Sequence, residues 1–168
     1  QNILKYKATK FGKIEHKYEK IKATDFFFDL RKLLEDRFHE KRIALEFLIG
    51  EDFTFCTDKH ILKHEILMNI LSNSLKFTPE NGSVYLYIEK YVDTFLVSIK
   101  DTGIGIPDKI ISNLFRSDIA TSRIGTDGEK GTGFGMPIVK QFVEEGQNNS
   151  SDDNDPFEVS DAKTMLDF

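Results

Sequence analysis

Two hydrophobic periods alternate along the chain. In residues 1–18, Leu4, Ala8, Phe11, Ile14 and Tyr18 recur every three to four positions with lysines between them, which predicts an amphipathic helix. Ala23-Thr24-Asp25 offers a loop and an N-cap, and Leu30, Leu33, Leu34 and Phe38 predict a helix over residues 28–41. The period then drops to two. Ile43, Leu45, Phe47 and Ile49 predict a strand ended by Gly50, with Thr54-Phe55-Cys56 as a short partner. A long helix follows, opened by Asp58 and stopped by Pro79. Val84, Leu86 and Ile88, then Phe95, Val97 and Ile99, predict an antiparallel hairpin that turns near Val92 and Asp93. Pro107-Asp108 opens a short helix carrying Ile110, Ile111, Leu114 and Phe115. Over residues 116–130 the apolar periodicity vanishes, which predicts a mobile lid. A last helix carries Ile138, Val139, Phe142 and Val143, followed by an acidic, Asn/Ser-rich solvated turn over residues 147–156 and a closing hairpin over residues 157–168.

Composition narrows the classes. With 168 residues and 39% hydrophobic residues the chain suffices for one domain with a real core. A net charge of -5 with acids interleaved among the lysines argues against a nucleic-acid partner. Cys56 is the sole cysteine, so a disulfide framework or Cys-based zinc site is excluded and a reducing, cytoplasmic setting is expected. No apolar run reaches membrane-spanning length, although a piece of a membrane-anchored receptor would read the same way.

Three stretches carry chemistry. On the long helix Glu65, Asn69, Asn73 and Lys76 form a polar stripe opposite Ile66, Leu67, Ile70, Leu71 and Leu75. Asparagines are poor interior helix formers, and an amide oxygen followed one turn later by a lysine suits a magnesium-bound phosphate. Asp101-Thr-Gly-Ile-Gly-Ile-Pro107 leaves a strand with a carboxylate acceptor and a backbone able to approach a flat ligand such as adenine. Gly131-Thr-Gly-Phe-Gly-Met-Pro137 opens the last helix, where unsatisfied backbone amides at the positive end of the helix dipole form an anion site. Neither a P-loop nor a dinucleotide fingerprint is present.

Together these motifs resemble the ATP-binding catalytic domain of sensor histidine kinases, in the superfamily that also holds gyrase and the heat-shock chaperone ATPase. Asn69 to Thr78 is similar to the family's N box, Asp101 to Pro107 to its G1 box, Leu114-Phe115 to a shortened F box, and Gly131 to Met136 to its G2 box. The Gly125-Thr-Asp-Gly-Glu-Lys run looks like the lids of one bacterial subgroup. The resemblance implies a two-layer α/β sandwich, the Bergerat fold, with a mixed and mainly antiparallel sheet and helices on one face. It implies ATP and Mg²⁺ as ligands. Asp101 would meet the adenine amine, with Gly103, Gly105 and Ile106 shaping the base pocket. Asn73 would hold the metal, and Asn69 and Lys76 would face the phosphates as catalytic residues. Gly131, Thr132, Gly133, Phe134, Gly135 and Met136 would close on the nucleotide, with Arg123 and Lys130 as further phosphate contacts and Phe115 anchoring the lid hinge. The acidic tract after Val143 departs from the family, which often has Gly-Gly there.

The family phosphorylates a histidine in an acidic, Pro-containing context, and His16, His39, His60 and His64 all lack it. Residues 1–20 are therefore expected to be an N-terminal helix or the tail of a dimerisation helix whose phosphoacceptor histidine lies upstream, and residues 21–168 the ATP-binding domain. Expected partners are that histidine domain, a response regulator receiver domain and, for the full-length protein, a second copy. Two alternatives stand beside the kinase: a degenerate ATP-binding regulatory module, and an ATP hydrolase or serine kinase of the same superfamily.

Overall fold

The computed structural model describes residues 17–92 and 95–149. Strand β1 (Tyr18–Lys22) leads into helix α1 (Ala23–Glu40), followed by β2 (Ala44–Ile49) and β3 (Thr54–Asp58). A π-helical segment (Ile61–Leu67) continues into α2 (Met68–Phe77). The hairpin β4 (Ser83–Lys90) and β5 (Phe95–Asp101) precedes a short α3 (Asp108–Ile111) and a final α4 (Gly135–Asn149). The N-terminal helix expected up to residue 18 lies outside the described residues except at its end, where Tyr18 begins β1. The closing hairpin also lies outside them.

The main sheet has the order β2-β4-β5, with β2 parallel and β5 antiparallel to β4; Ala44 stands opposite Ser83, and Val84 opposite Asp101. A two-stranded antiparallel ribbon, β1 with β3, stands beside it. Alternation decides the faces: Val84, Leu86 and Ile88 point inward and are buried, while Tyr85 and Tyr87 point outward. On the inward face lie Phe26, Phe27, Leu30, Leu34 and Phe38 of α1, with Leu62, Leu67, Leu71 and Leu75 of the second helical stretch. The fold is the expected mixed α/β sandwich with helices on one face.

Helix α1 starts earlier than expected, at Ala23, so the predicted loop at Ala23-Thr24-Asp25 is instead its first turn. The reason is nonlocal. Phe26 and Phe27 are 1% and 0% exposed, and burying each is worth about 1.5–3 kcal/mol. That outweighs the missing local cap, worth about 1 kcal/mol. The amides of Ala23 and Thr24 are taken up by Phe53 O and Asp52 Oδ1 from the segment before β3. Phe53 and Phe55 also touch Phe95 of β5, at ring-centroid distances of 5.4 and 4.6 Å, which ties the small ribbon to the main sheet.

The second helical stretch is not uniformly α. Asp58 Oδ1 accepts from the amides of His60 and Ile61, the expected cap, but residues 61–67 are π-helical. Hydrogen bonds from i to i+5 align residues five apart. Leu62 and Leu67 therefore both face the sheet, while Ile61 and Ile66 both face α4. From there the α period takes over: Leu71 and Leu75 continue the sheet face, and Ile70 continues the α4 face against Ile138, Val139 and Phe142. The apolar residues expected on one side are split between two partners, and the helix is clamped between sheet and α4.

Candidate functional site

The clamped helix presents its remaining face between the end of β5 and the start of α4. Asn69, Asn73 and Lys76 lie there, all half-buried. The Asn69 Nδ2 donates to Glu65 O at 2.7 Å, which fixes the amide and aims its oxygen outward from the helix. A Cβ placed on Gly135 would lie 3.2 Å from Asn69 Oδ1 and 3.9 Å from Asn73 Nδ2, so the first turn of α4 passes close over both amides. Glycine permits that approach.

At the other end, Asp101 closes β5 half-buried, and its Oδ1 accepts from the amide of Gly103 at 2.9 Å. The loop is held against α2 because Ile104 N donates to Phe77 O at 3.0 Å. Gly105, at φ 67°, then turns the chain in a conformation that side chains disfavour. Its carbonyl accepts from Arg123 Nη1 at 2.9 Å, while the carbonyl of Arg123 accepts from Lys76 Nζ at 2.6 Å. Lys76 Nζ would in turn stand 2.7 Å from a Cβ on Gly131. Asp101, Gly103, Gly105, Arg123, Lys76, Gly131, Gly135, Asn69 and Asn73 thus form one connected rim. Gly133, at φ 75°, packs on the backbone of Thr121 and Ser122, whose side chains donate to Gly133 O and Gly131 O.

The other predicted residues differ in burial. Ile106, Phe115 and Met136 are half-buried and Lys130 is exposed. Thr132 Oγ1 accepts from Phe134 N, and Phe134 packs into the α4 cluster.

Burial is the main cause that holds the Lys76 ammonium below the ordinary lysine pKa, with Arg123 adding to the effect and Glu129 opposing it. A partly desolvated cation at the site favours an anionic ligand. The α4 N-terminus adds to this, since its first intrahelical bond runs from Ile138 N to Phe134 O and leaves the preceding amides of Gly135 and Met136 as donors.

The region expected to be a mobile lid is anchored in its second half. Gly125 N donates to Glu129 O and Gly128 N to Gly125 O, closing a tight turn, and Thr126 N donates to Lys76 O at 3.0 Å. Lys41 Nζ reaches Thr126 Oγ1 and Glu129 Oε1, each at 2.7 Å. At Glu129 burial works to raise the carboxyl pKa, but the bond from Lys41 and backbone donors overcome it and leave it below the usual value. Nothing local in the sequence singled out Lys41, because its lid partners stand 85 and 88 positions away.

The profile of the family described as histidine kinase-, DNA gyrase B-, and HSP90-like ATPase matches residues 57–155, which contain the whole rim. The chain belongs to that family. Among curated relatives of this ATPase domain, the autoinducer 2 sensor kinase/phosphatase LuxQ of Vibrio vulnificus is 32% identical over 146 residues, covering 80% of this chain and 17% of LuxQ. The domain thus spans about a sixth of that relative. Among solved structures, full-length ShkA in complex with AMPPNP superposes with a TM-score of 0.70 at 25% identity, over 85% of this chain and 29% of that one. Histidine kinase ThkA in complex with response regulator protein TrrA superposes at 0.60 with 21% identity, over 68% of this chain and 34% of that one, a likeness of fold. Among the described residues, no helix is long and apolar enough to cross a membrane.

Proposed function

We propose that this chain is the catalytic, ATP-binding domain of a two-component sensor histidine kinase and transfers the γ-phosphoryl group of ATP to a histidine on a separate dimerisation domain. The observation that carries the reading is the meeting of Asn69, Asn73, Lys76 and the α4 N-terminus at one end of a rim whose other end is Asp101. One end offers donors to anionic oxygens. The other offers a carboxylate acceptor to a base.

In this reading Asp101 accepts from the adenine amine, with Gly103 and Gly105 letting the ring approach the backbone. Lys76 and the amides of Gly135 and Met136 take the phosphate oxygens, on which negative charge is spread during transfer. The donor set fits Mg²⁺: Asn73 provides one hard, neutral oxygen, and among the described residues no cluster of three or more His, Cys, Asp or Glu side chains competes as a cage. Asn73 would hold such an ion together with the nucleotide, and the ion would neutralise phosphate charge. The attacking imidazole nitrogen forms the new N–P bond as the bond from γ-phosphorus to the bridging oxygen breaks, and ADP departs with that electron pair.

Position 69 separates kinase from hydrolase. Relatives that hydrolyse ATP carry a glutamate one helical turn before the magnesium Asn, where it takes a proton from water; here that position is an amide, already donating to Glu65 O. A neutral imidazole needs no such base. The histidine domain, a response regulator receiver domain and a second copy of the full-length protein are the proposed partners, in a cytoplasmic setting. ATP turnover by the isolated chain is the direct test: binding with very slow hydrolysis is expected, and rapid multiple turnover would favour the hydrolase.

A further inference from the structure

Lys41 follows the last residue of α1, where the chain turns through Arg42, at φ 55°, into β2. Its side chain is only 8% exposed. A buried ammonium is costly unless its protons are all taken, and here they have a choice of acceptors from two elements. Leu75 O and Lys76 O lie at 3.0 and 3.2 Å; Thr126 Oγ1 and Glu129 Oε1 each lie at 2.7 Å. The first two are carbonyls in the last turn of α2, which have no partner within the helix and stand at the negative end of its dipole. The other two belong to the turn over residues 125–129.

We propose that Lys41 is a positioning residue for the nucleotide site, joining the end of the Asn69/Asn73/Lys76 helix to the turn that lies against Lys76. The turn itself has the shape to do this. Thr126 donates its amide to Lys76 O and its hydroxyl to Thr78 O, while its oxygen accepts from Lys41. Asp127 N donates to Glu129 Oε2, so that the carboxylate pointing at Lys41 is also fixed by its own turn. Gly125 comes so close that a Cβ there would lie 2.6 Å from Lys76 Cγ. The stem of Lys76 is therefore confined, and its ammonium is left to face Arg123 O and Gly131. Loosening Lys41 frees the turn, and with it the phosphate end of the site. The Asp101 loop has two further bonds that do not involve Lys41 or the turn, from Gly103 N to Asp101 Oδ1 and from Ile104 N to Phe77 O.

The inference rests on the nucleotide reading of the site, and its test compares two ligands. ATP uses both ends of the rim, adenosine only the Asp101 end. Lys41→Met should weaken ATP binding by about tenfold, within the usual span of coupling energies, while adenosine affinity stays unchanged. Hydrogen exchange at the Gly125 and Thr126 amides should accelerate. Glu129→Ala, which removes the acceptor from the more exposed side, should lower the ratio of ATP to adenosine affinity in the same direction and decides the matter if Lys41→Met does not fold. A folded variant whose ATP and adenosine affinities fall together, or do not fall, overturns the positioning role. Wild-type protein that binds neither ligand overturns the reading of the site itself.

Discussion

The Lys76 ammonium donates to the backbone carbonyl of Arg123 at 2.6 Å, and the Arg123 guanidinium lies over the same Phe77 ring as Lys76, with centroid distances of 5.3 and 4.7 Å. Two cations from distant parts of the chain thus converge on one edge of the site. Burial and the neighbouring Arg123 disfavour the Lys76 charge while Glu129 supports it, and an anionic ligand at this edge would add to that support.

A pH profile follows from that pair. Burial, aided by Arg123, holds Lys76 below its ordinary value of 10.5. Only the charged form attracts phosphate, so ATP affinity should fall as pH rises, and the fall should begin at lower pH than an ordinary lysine would give. Lys76→Met should bind ATP about 10- to 100-fold more weakly, as expected for loss of a charge-assisted bond worth roughly 1.5–3 kcal/mol, and should lose the part of the fall that Lys76 causes. Calorimetry of both proteins over the alkaline range checks it; profiles of the same shape in wild type and variant count against the assignment.

Asp101 should impose base selectivity. One of its oxygens is occupied by Gly103 N, which leaves Oδ2 for the adenine amine. Guanine presents a carbonyl where adenine has that amine, leaving acceptors facing each other at a cost of about 1–3 kcal/mol. ATP should therefore bind about tenfold or more tightly than GTP, and Asp101→Asn should weaken ATP binding in a protein of unchanged melting temperature. Equal affinity for the two nucleotides would refute the placement of the base.

Asn73 should matter only through the metal. One neutral oxygen is too weak a site to hold Mg²⁺ without phosphates. Titration of nucleotide-free protein with Mg²⁺ should show no tight binding, and Asn73→Ala should lose the magnesium-dependent part of ATP affinity while keeping adenosine affinity. Tight Mg²⁺ binding without nucleotide contradicts this role.

The rim was legible in the sequence because each of its parts is local. Asp101 with Gly103, and Gly131 with Gly135, announce themselves within a few residues through turn chemistry and helix starts. The polar stripe of Asn69, Asn73 and Lys76 is equally visible as helical spacing. What escaped was set by partners far along the chain. The π-helical segment reads as plain α-helix until α4 and the sheet each claim one of the pairs Ile61/Ile66 and Leu62/Leu67. The early start of α1 depends on Phe53 O and Asp52, and the anchoring of the lid on Lys41. A lysine at a helix end looks solvated until a distant turn folds over it.

Transfer to histidine is tested most simply by following the label. The chain is mixed with γ-labelled ATP, Mg²⁺ and a separate domain from its full-length protein bearing the phosphoacceptor histidine. Label is expected on that domain alone, labile in acid and stable in base, with no label on the catalytic chain and loss of transfer in Asn73→Ala. Acid-stable label on serine or threonine, or rapid release of phosphate without transfer, would contradict it.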